Sequence, residues 1–129
     1  MPYRIRLLED GMGILAQGSG KVTLAEIERA KQEFARSAKL SLPRSYLLVD
    51  LTEAPEFGLS AAEIRAAAES TIRLSASTFS PGSRAAVIAP TDMAFGVSRM
   101  WQVFVEASGM ETQVFRSRAA AEQWVKAVI

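Results

Sequence analysis

The chain has 129 residues and is 49% hydrophobic, which suits one domain able to bury a core without disulfide or metal staples. It contains neither Cys nor His. That excludes thiol nucleophiles, thiolate and imidazole metal ligands, serine–histidine triads and the usual neutral-pH proton shuttle, and no cofactor is implied.

Lys plus Arg (15) nearly balance Asp plus Glu (14) and are scattered along the chain, so no basic stripe of the kind a phosphate backbone requires is present, and nucleic acid is not an expected partner. The opening MPYRIRLLEDG interrupts its apolar residues with charges. It reads as neither a signal peptide nor a membrane span, and the expected location is cytoplasmic.

Tyr3, Ile5 and Leu7 alternate with Arg4 and Arg6, the pattern of a strand with one wet face. Glu9-Asp10-Gly11 supplies a turn, Met12 to Gln17 forms the returning strand of an antiparallel hairpin, and Gly18-Ser19-Gly20 ends it. Thr23 then caps a first helix, with Glu26 in capping-box position. Leu24, Ile27, Phe34, Ala35 and Ala38 share its apolar face, Glu28, Arg29, Gln32, Glu33 and Arg36 face water, and it ends near Lys39.

Tyr46-Leu47-Leu48-Val49, followed by Asp50-Leu51-Thr52, suits a central strand covered on both faces. A loop with Pro55 and Gly58 leads to a second capping box, Ser60 with Glu63, and an alanine-rich helix to about Ser75 that buries Ile64 and Ile72 among small residues. Pro81-Gly82 breaks the chain before the short strand Ala85–Ala89, which Pro90 stops. Thr91 or Asp92 caps a third helix with a core stripe of Met93, Val97, Met100, Trp101 and Phe104, closed by Gly109. A strand from Thr112 to Arg116 and a Ser117-capped helix with Ala121, Trp124, Val125 and Val128 inward complete the order ββαβαβαβα. The expectation is one α/β domain: a mixed, mostly parallel five-stranded sheet flanked by four helices, joined by right-handed crossovers and covered on both faces.

The segments G-K-V-T, L-L-V-D-L, A-A-V-I-A-P, A-F-G-V-S-R-M and V-F-R-S-R-A-A-A-E-Q-W-V together resemble the SpoIIAA-like family, whose fold is related to the STAS domains of anti-sigma-factor antagonists. The resemblance covers most of the chain and implies a regulatory, protein-binding or small-ligand-binding role, since each segment is an element boundary or a buried run. It also implies that Ser60 matches the phospho-acceptor of the STAS Asp-Ser-Ser-Gly motif. Here the local sequence is Gly58-Leu59-Ser60-Ala61, and a plain N-cap role accounts for Ser60 as well.

G-S-G-K-V-T is spaced wrongly for a phosphate-binding loop, with Leu15 where a glycine is needed and Val22 directly after Lys21. Open sheets bind ligands outside the carboxyl ends of their parallel strands, which nominates Asp50, Thr52, Thr91, Asp92 and Arg116, with Ser117 beside them. Phe95 lies off the core stripe of its helix, and with Arg99 and Val103 it marks a candidate homodimer or partner surface. The leading expectation is therefore a non-catalytic regulatory or protein-interaction module. A small-ligand binder for a nucleotide or lipid comes second, with a pocket lined by Asp50, Thr52, Phe95 and Arg116, and an enzyme using Asp50 or Asp92 as a base comes last.

Overall fold

In a computed structural model that describes residues 3–37, 44–106, 108 and 110–127, the alternating N-terminal segment forms β1 (Tyr3–Leu7) and turns back into β2 (Gly13–Thr23). Gly11 adopts the left-handed conformation at φ 72°. Asp10 Oδ1 accepts the backbone N–H groups of Met12 at 2.8 Å and Gly13 at 3.2 Å, so the Glu9-Asp10-Gly11 turn is held by its own carboxylate. The pairing is antiparallel, with Tyr3 opposite Gly18 and Leu7 opposite Ile14.

The remaining elements are α1 (Leu24–Ser37), β3 (Arg44–Gly58), α2 (Ala61–Thr78), β4 (Phe79–Ile88), α3 (Asp92–Glu106), β5 (Glu111–Phe115) and α4 (Arg118–Lys126), in the order the sequence pattern predicts. The strands lie side by side as β1-β2-β3-β4-β5, parallel from β2 onward. Because each crossover steps to the next strand in the same direction, right-handed connections place α1, α2 and α3 on one face. Residues of all three helices share one apolar core with Leu47, Val49 and Leu51, whereas α4 alone packs its Ala121 and Val125 against Leu15, Tyr46, Leu48, Ala86 and Ile88 on the other face. Alternate residues of β3 thus serve opposite cores.

The strands outrun the glycines and prolines expected to end them. β2 continues through Gly18-Ser19-Gly20, with register shifts on either side of Ser19, and pairs Lys21 with Glu56 and Thr23 with Gly58 of β3. β3 runs past Pro55 because its pairing with β4 ends at Asp50 opposite Ile88. Beyond that point only β2 borders it, and a residue lacking an N–H is tolerated on such an edge. In β4, Pro81-Gly82 sit in a bulge, where the pairing jumps from Arg44–Phe79 to Tyr46–Arg84 and Gly82 takes φ 79°. β5 spans one residue earlier than the pattern suggests.

Thr23 caps α1, its Oγ1 accepting from the Glu26 N–H at 3.4 Å, but the Glu26 carboxylate pairs with Arg29 at 2.9 Å instead of closing a capping box. Ala35, expected inward, is exposed. The box at α2 is complete, with Ser60 Oγ accepting from the Glu63 N–H at 3.1 Å and Glu63 Oε1 accepting from the Ser60 N–H at 2.9 Å, and this helix runs three residues past Ser75. Thr91 caps α3 through the Ala94 N–H at 3.1 Å, and Ser117 caps α4 through that of Ala120.

The α3 stripe is rotated from its expected phase. Ala94, Ser98 and Val105 are buried, whereas Met93 is 58% and Met100 40% exposed. The small residues let α3 lie close to its neighbours, with Val97, Trp101 and Phe104 flanking the contact, and the long methionines are turned outward. Ala38, Lys39, Gly109 and Val128 lie outside the described residues.

The α4 face depends on a close approach at the start of β2. A Cβ on Gly13 would lie 2.2 Å from the ring of Tyr46, which is fully buried and donates its hydroxyl to Asp10. Gly13→Ala should therefore destabilise the fold by about 1–3 kcal/mol as the ring is displaced, seen as a lower urea midpoint with an unchanged slope.

Candidate functional site

The carboxyl ends of the parallel strands gather the residues nominated there, but in two self-contained groups. Asp50 is 5% exposed. Its Oδ1 accepts from the Thr52 N–H at 2.9 Å and from the Thr52 hydroxyl, and Arg118 of α4 donates to Oδ2 at 3.1 Å. The buried carboxylate is thus fully partnered, and its ion pair fastens the start of α4 beneath the sheet edge.

In the second group, Arg116 donates to Asp92 Oδ1 at 3.0 Å and to the Pro90 carbonyl at 3.2 Å, and its guanidinium lies 4.3 Å from the centre of the Phe95 ring. Phe95 is half-buried against the main core under that arginine, not standing free on the polar face of α3. Asp92 is almost wholly exposed, so the pair contributes little to stability. Thr91 serves its cap. Of the expected partner surface, Arg99 and Val103 do lie exposed on the outer side of α3.

A different part of the molecule is open. Between the sheet and α1, α2 and α3 lies a cavity of about 380 Å³, within the range of about 300–1,000 Å³ that small-molecule sites occupy. Asp50, Thr52, Phe95 and Arg116 do not line it. Its walls are Tyr3, Ile14, Leu47, Val49 and Leu51 from the sheet, Ile27 and Phe34 from α1, Ile64, Ala67 and Leu74 from α2, and Val97 and Trp101 from α3.

The residues on both faces of the sheet are largely buried. On the α4 face Leu15 and Ile88 are 1% exposed and Leu48 and Tyr46 not at all, and on the cavity face Val87 is 2% and Ile14 3% exposed, with Leu47 and Val49 at 8%.

Polar side chains reach this cavity from α1 with Lys31, from α2 with Thr71, Ser75, Ser77 and Thr78, and from α3 with Ser98. Lys31 lies on the buried side of α1, and its ammonium donates to the Ala67 carbonyl at 2.9 Å, to Thr71 Oγ1 at 3.0 Å and to Ser70 Oγ. Ser70 passes its own proton to Glu28 at 2.8 Å, and Glu28 stands 3.8 Å from the lysine. The cluster ties α1 to α2 across the cavity wall. Burial pushes the ammonium down to about 8, against the partial support of Glu28 and with Arg73 adding to the fall. Ser98 enters from α3, apart from the lysine cluster.

Sequence reasoning missed both residues. Lys31 follows Ile27 by four positions and precedes Phe34 by three, which puts it on the apolar face of α1. That spacing was the available signal. Ser98 shares its face with Ala94 and Val105, small residues that the bulkier methionine stripe obscured.

Among solved structures, the chain is similar to an uncharacterized protein from the DUF3478 family, with a SpoIIAA-like fold, from Shewanella loihica PV-4. The TM-score is 0.55 at 20% identity, and the match covers 95% of this chain and 91% of that one. The fold is SpoIIAA-like. No family model matches the sequence, and no curated protein does. The SpoIIAA-like resemblance carried by the strand and helix boundaries therefore holds for the architecture. Among the described residues no helix is long and apolar enough to cross a membrane.

The position of Lys31 gives a pH signature. Unfolded, the lysine titrates at its ordinary 10.5, so between about pH 8 and 10.5 the unfolded chain holds more protons than the folded one and stability rises with pH. Tyr3 and Tyr46, both raised by burial above their ordinary 10, keep their protons in the fold and oppose the rise above pH 10. Urea denaturation from pH 8 to 10 should show increasing stability in the wild type and a flat profile in Lys31→Met.

Proposed function

We propose that the chain is a non-catalytic binding module that holds a small apolar molecule between its sheet and α1–α3. The observation that carries this reading is the cavity of about 380 Å³ walled by sheet and helix hydrophobes. Apolar walls of a recess that solvent can reach keep hydrophobic surface in contact with water, and a ligand that fills the recess removes that surface from water. The strand-end residues fit a structural role in this reading, because Asp50 is satisfied by Thr52 and Arg118 and Arg116 is engaged with Asp92 and Phe95. Ser60 belongs with them, its hydroxyl committed to the α2 cap.

The neutral fluorophore N-phenyl-1-naphthylamine tests the reading. Wild-type protein should enhance its emission saturably, and Ala67→Leu, which places a larger side chain at the cavity wall, should weaken binding about tenfold while keeping the wild-type circular dichroism. Absence of saturable binding by the folded wild type would contradict it.

A second reading, a protein-interaction module, is favoured by the outer side of α3, where Met93, Met100 and Val103 are 58%, 40% and 65% exposed at helical spacing beside Arg99. If this face meets a second copy, Val103→Glu should lower the mass measured by light scattering without lowering the melting temperature of the monomer. A wild type that is monomeric at high concentration removes the homodimer form of this reading.

A further inference from the structure

We propose, resting on the ligand-binding reading, that Ser98 determines the specificity of the cavity and that the ligand is an uncharged molecule with one oxygen function, a hydroxyl or carbonyl, on an apolar body. Ser98 lines the cavity from α3 and is 3% exposed. Its Oγ is closed to water and has no hydrogen-bond partner among the described residues.

Helical hydroxyls commonly bond back to the carbonyl four residues earlier, and those of α2 along the same cavity do so. Thr71 donates to the Ala67 carbonyl at 3.0 Å and Ser75 to the Thr71 carbonyl at 2.7 Å. Ser98 leaves that option unused. A buried hydroxyl without a partner is costly, and a ligand oxygen would supply the missing bond. Engaging that oxygen requires the Ser98 hydroxyl to occupy a staggered position that faces the lumen.

The absence of a free cation at the wall among the described residues sets the charge. Among the described residues Lys31 is the one ionisable cation lining the cavity, and its three N–H groups donate to the Ala67 carbonyl, Ser70 and Thr71, with Glu28 close behind. A carboxylate entering the cavity would lose its hydration with no unengaged positive group to meet it.

Naphthalene, 2-naphthol and 2-naphthoate share one apolar body and differ in the polar group. Displacement of N-phenyl-1-naphthylamine from wild type and Ser98→Ala reads their affinities. Ser98→Ala should weaken 2-naphthol about tenfold and leave naphthalene unchanged, and wild type should prefer 2-naphthol to 2-naphthoate at least about tenfold. The variant, relieved of an unpartnered hydroxyl, should melt no lower than the wild type without ligand. If naphthalene binds but 2-naphthol is indifferent to Ser98→Ala, or 2-naphthoate binds as well as 2-naphthol, the Ser98 proposal is overturned and the cavity reading stands. If neither the fluorophore nor any of the three binds, both fall.

Discussion

From β2 to β5 the sheet advances one strand at a time in a single direction. With right-handed crossovers, that order leaves no choice about where the connecting helices go, and α1, α2 and α3 share one face. β3, apolar on both faces, then needs cover on the other side too. Only α4, which follows the last strand and is free of any crossover, supplies it. One helix seated over the middle of the sheet packs tightly, with Leu48, Tyr46 and Val125 fully buried. Three helices side by side must also pack against one another, and the Lys31 cluster fixes α1 to α2 through polar bonds rather than through the sheet. The cavity lies where these two demands meet.

The elements were legible wherever a local rule decided them. Ser60 with Glu63, Thr91 and Ser117 each capped the helix that the sequence places after them, because a cap needs only its own turn. Asp10 and Gly11 made the hairpin turn for the same reason. Strand ends were another matter. Pro55 and the Gly18-Ser19-Gly20 run lie inside strands because β2 and β3 continue to pair beyond the rest of the sheet, and that pairing joins residues more than thirty positions apart. The phase of α3 failed through size. Methionines weigh heavily in an apolar stripe, whereas the small Ala94 and Ser98 are the residues that α3 buries, with Val105.

The candidate site followed the same division. The rule that ligands bind at the carboxyl ends of parallel strands nominated Asp50, Thr52, Thr91, Asp92 and Arg116, and the structure places them at those ends in two separate groups, away from the cavity. Nothing in their spacing showed that Arg118 would satisfy Asp50, or that Phe95 would shelter under Arg116. Those charges spend themselves on each other. The cavity had no motif to announce it, since its walls come from three helices and the sheet, far apart in the chain. Its one-dimensional traces were a lysine and a serine at apolar positions, Lys31 and Ser98.

A direct measurement of the central claim is a methyl-resolved NMR titration with N-phenyl-1-naphthylamine. The account predicts shifts in Ile14, Val49, Leu74 and Val97, which wall the cavity, and none in Leu48, Ile88 or Val125 on the sealed face. Shifts spread over both faces, or confined to the outer methionines Met93 and Met100, would contradict it.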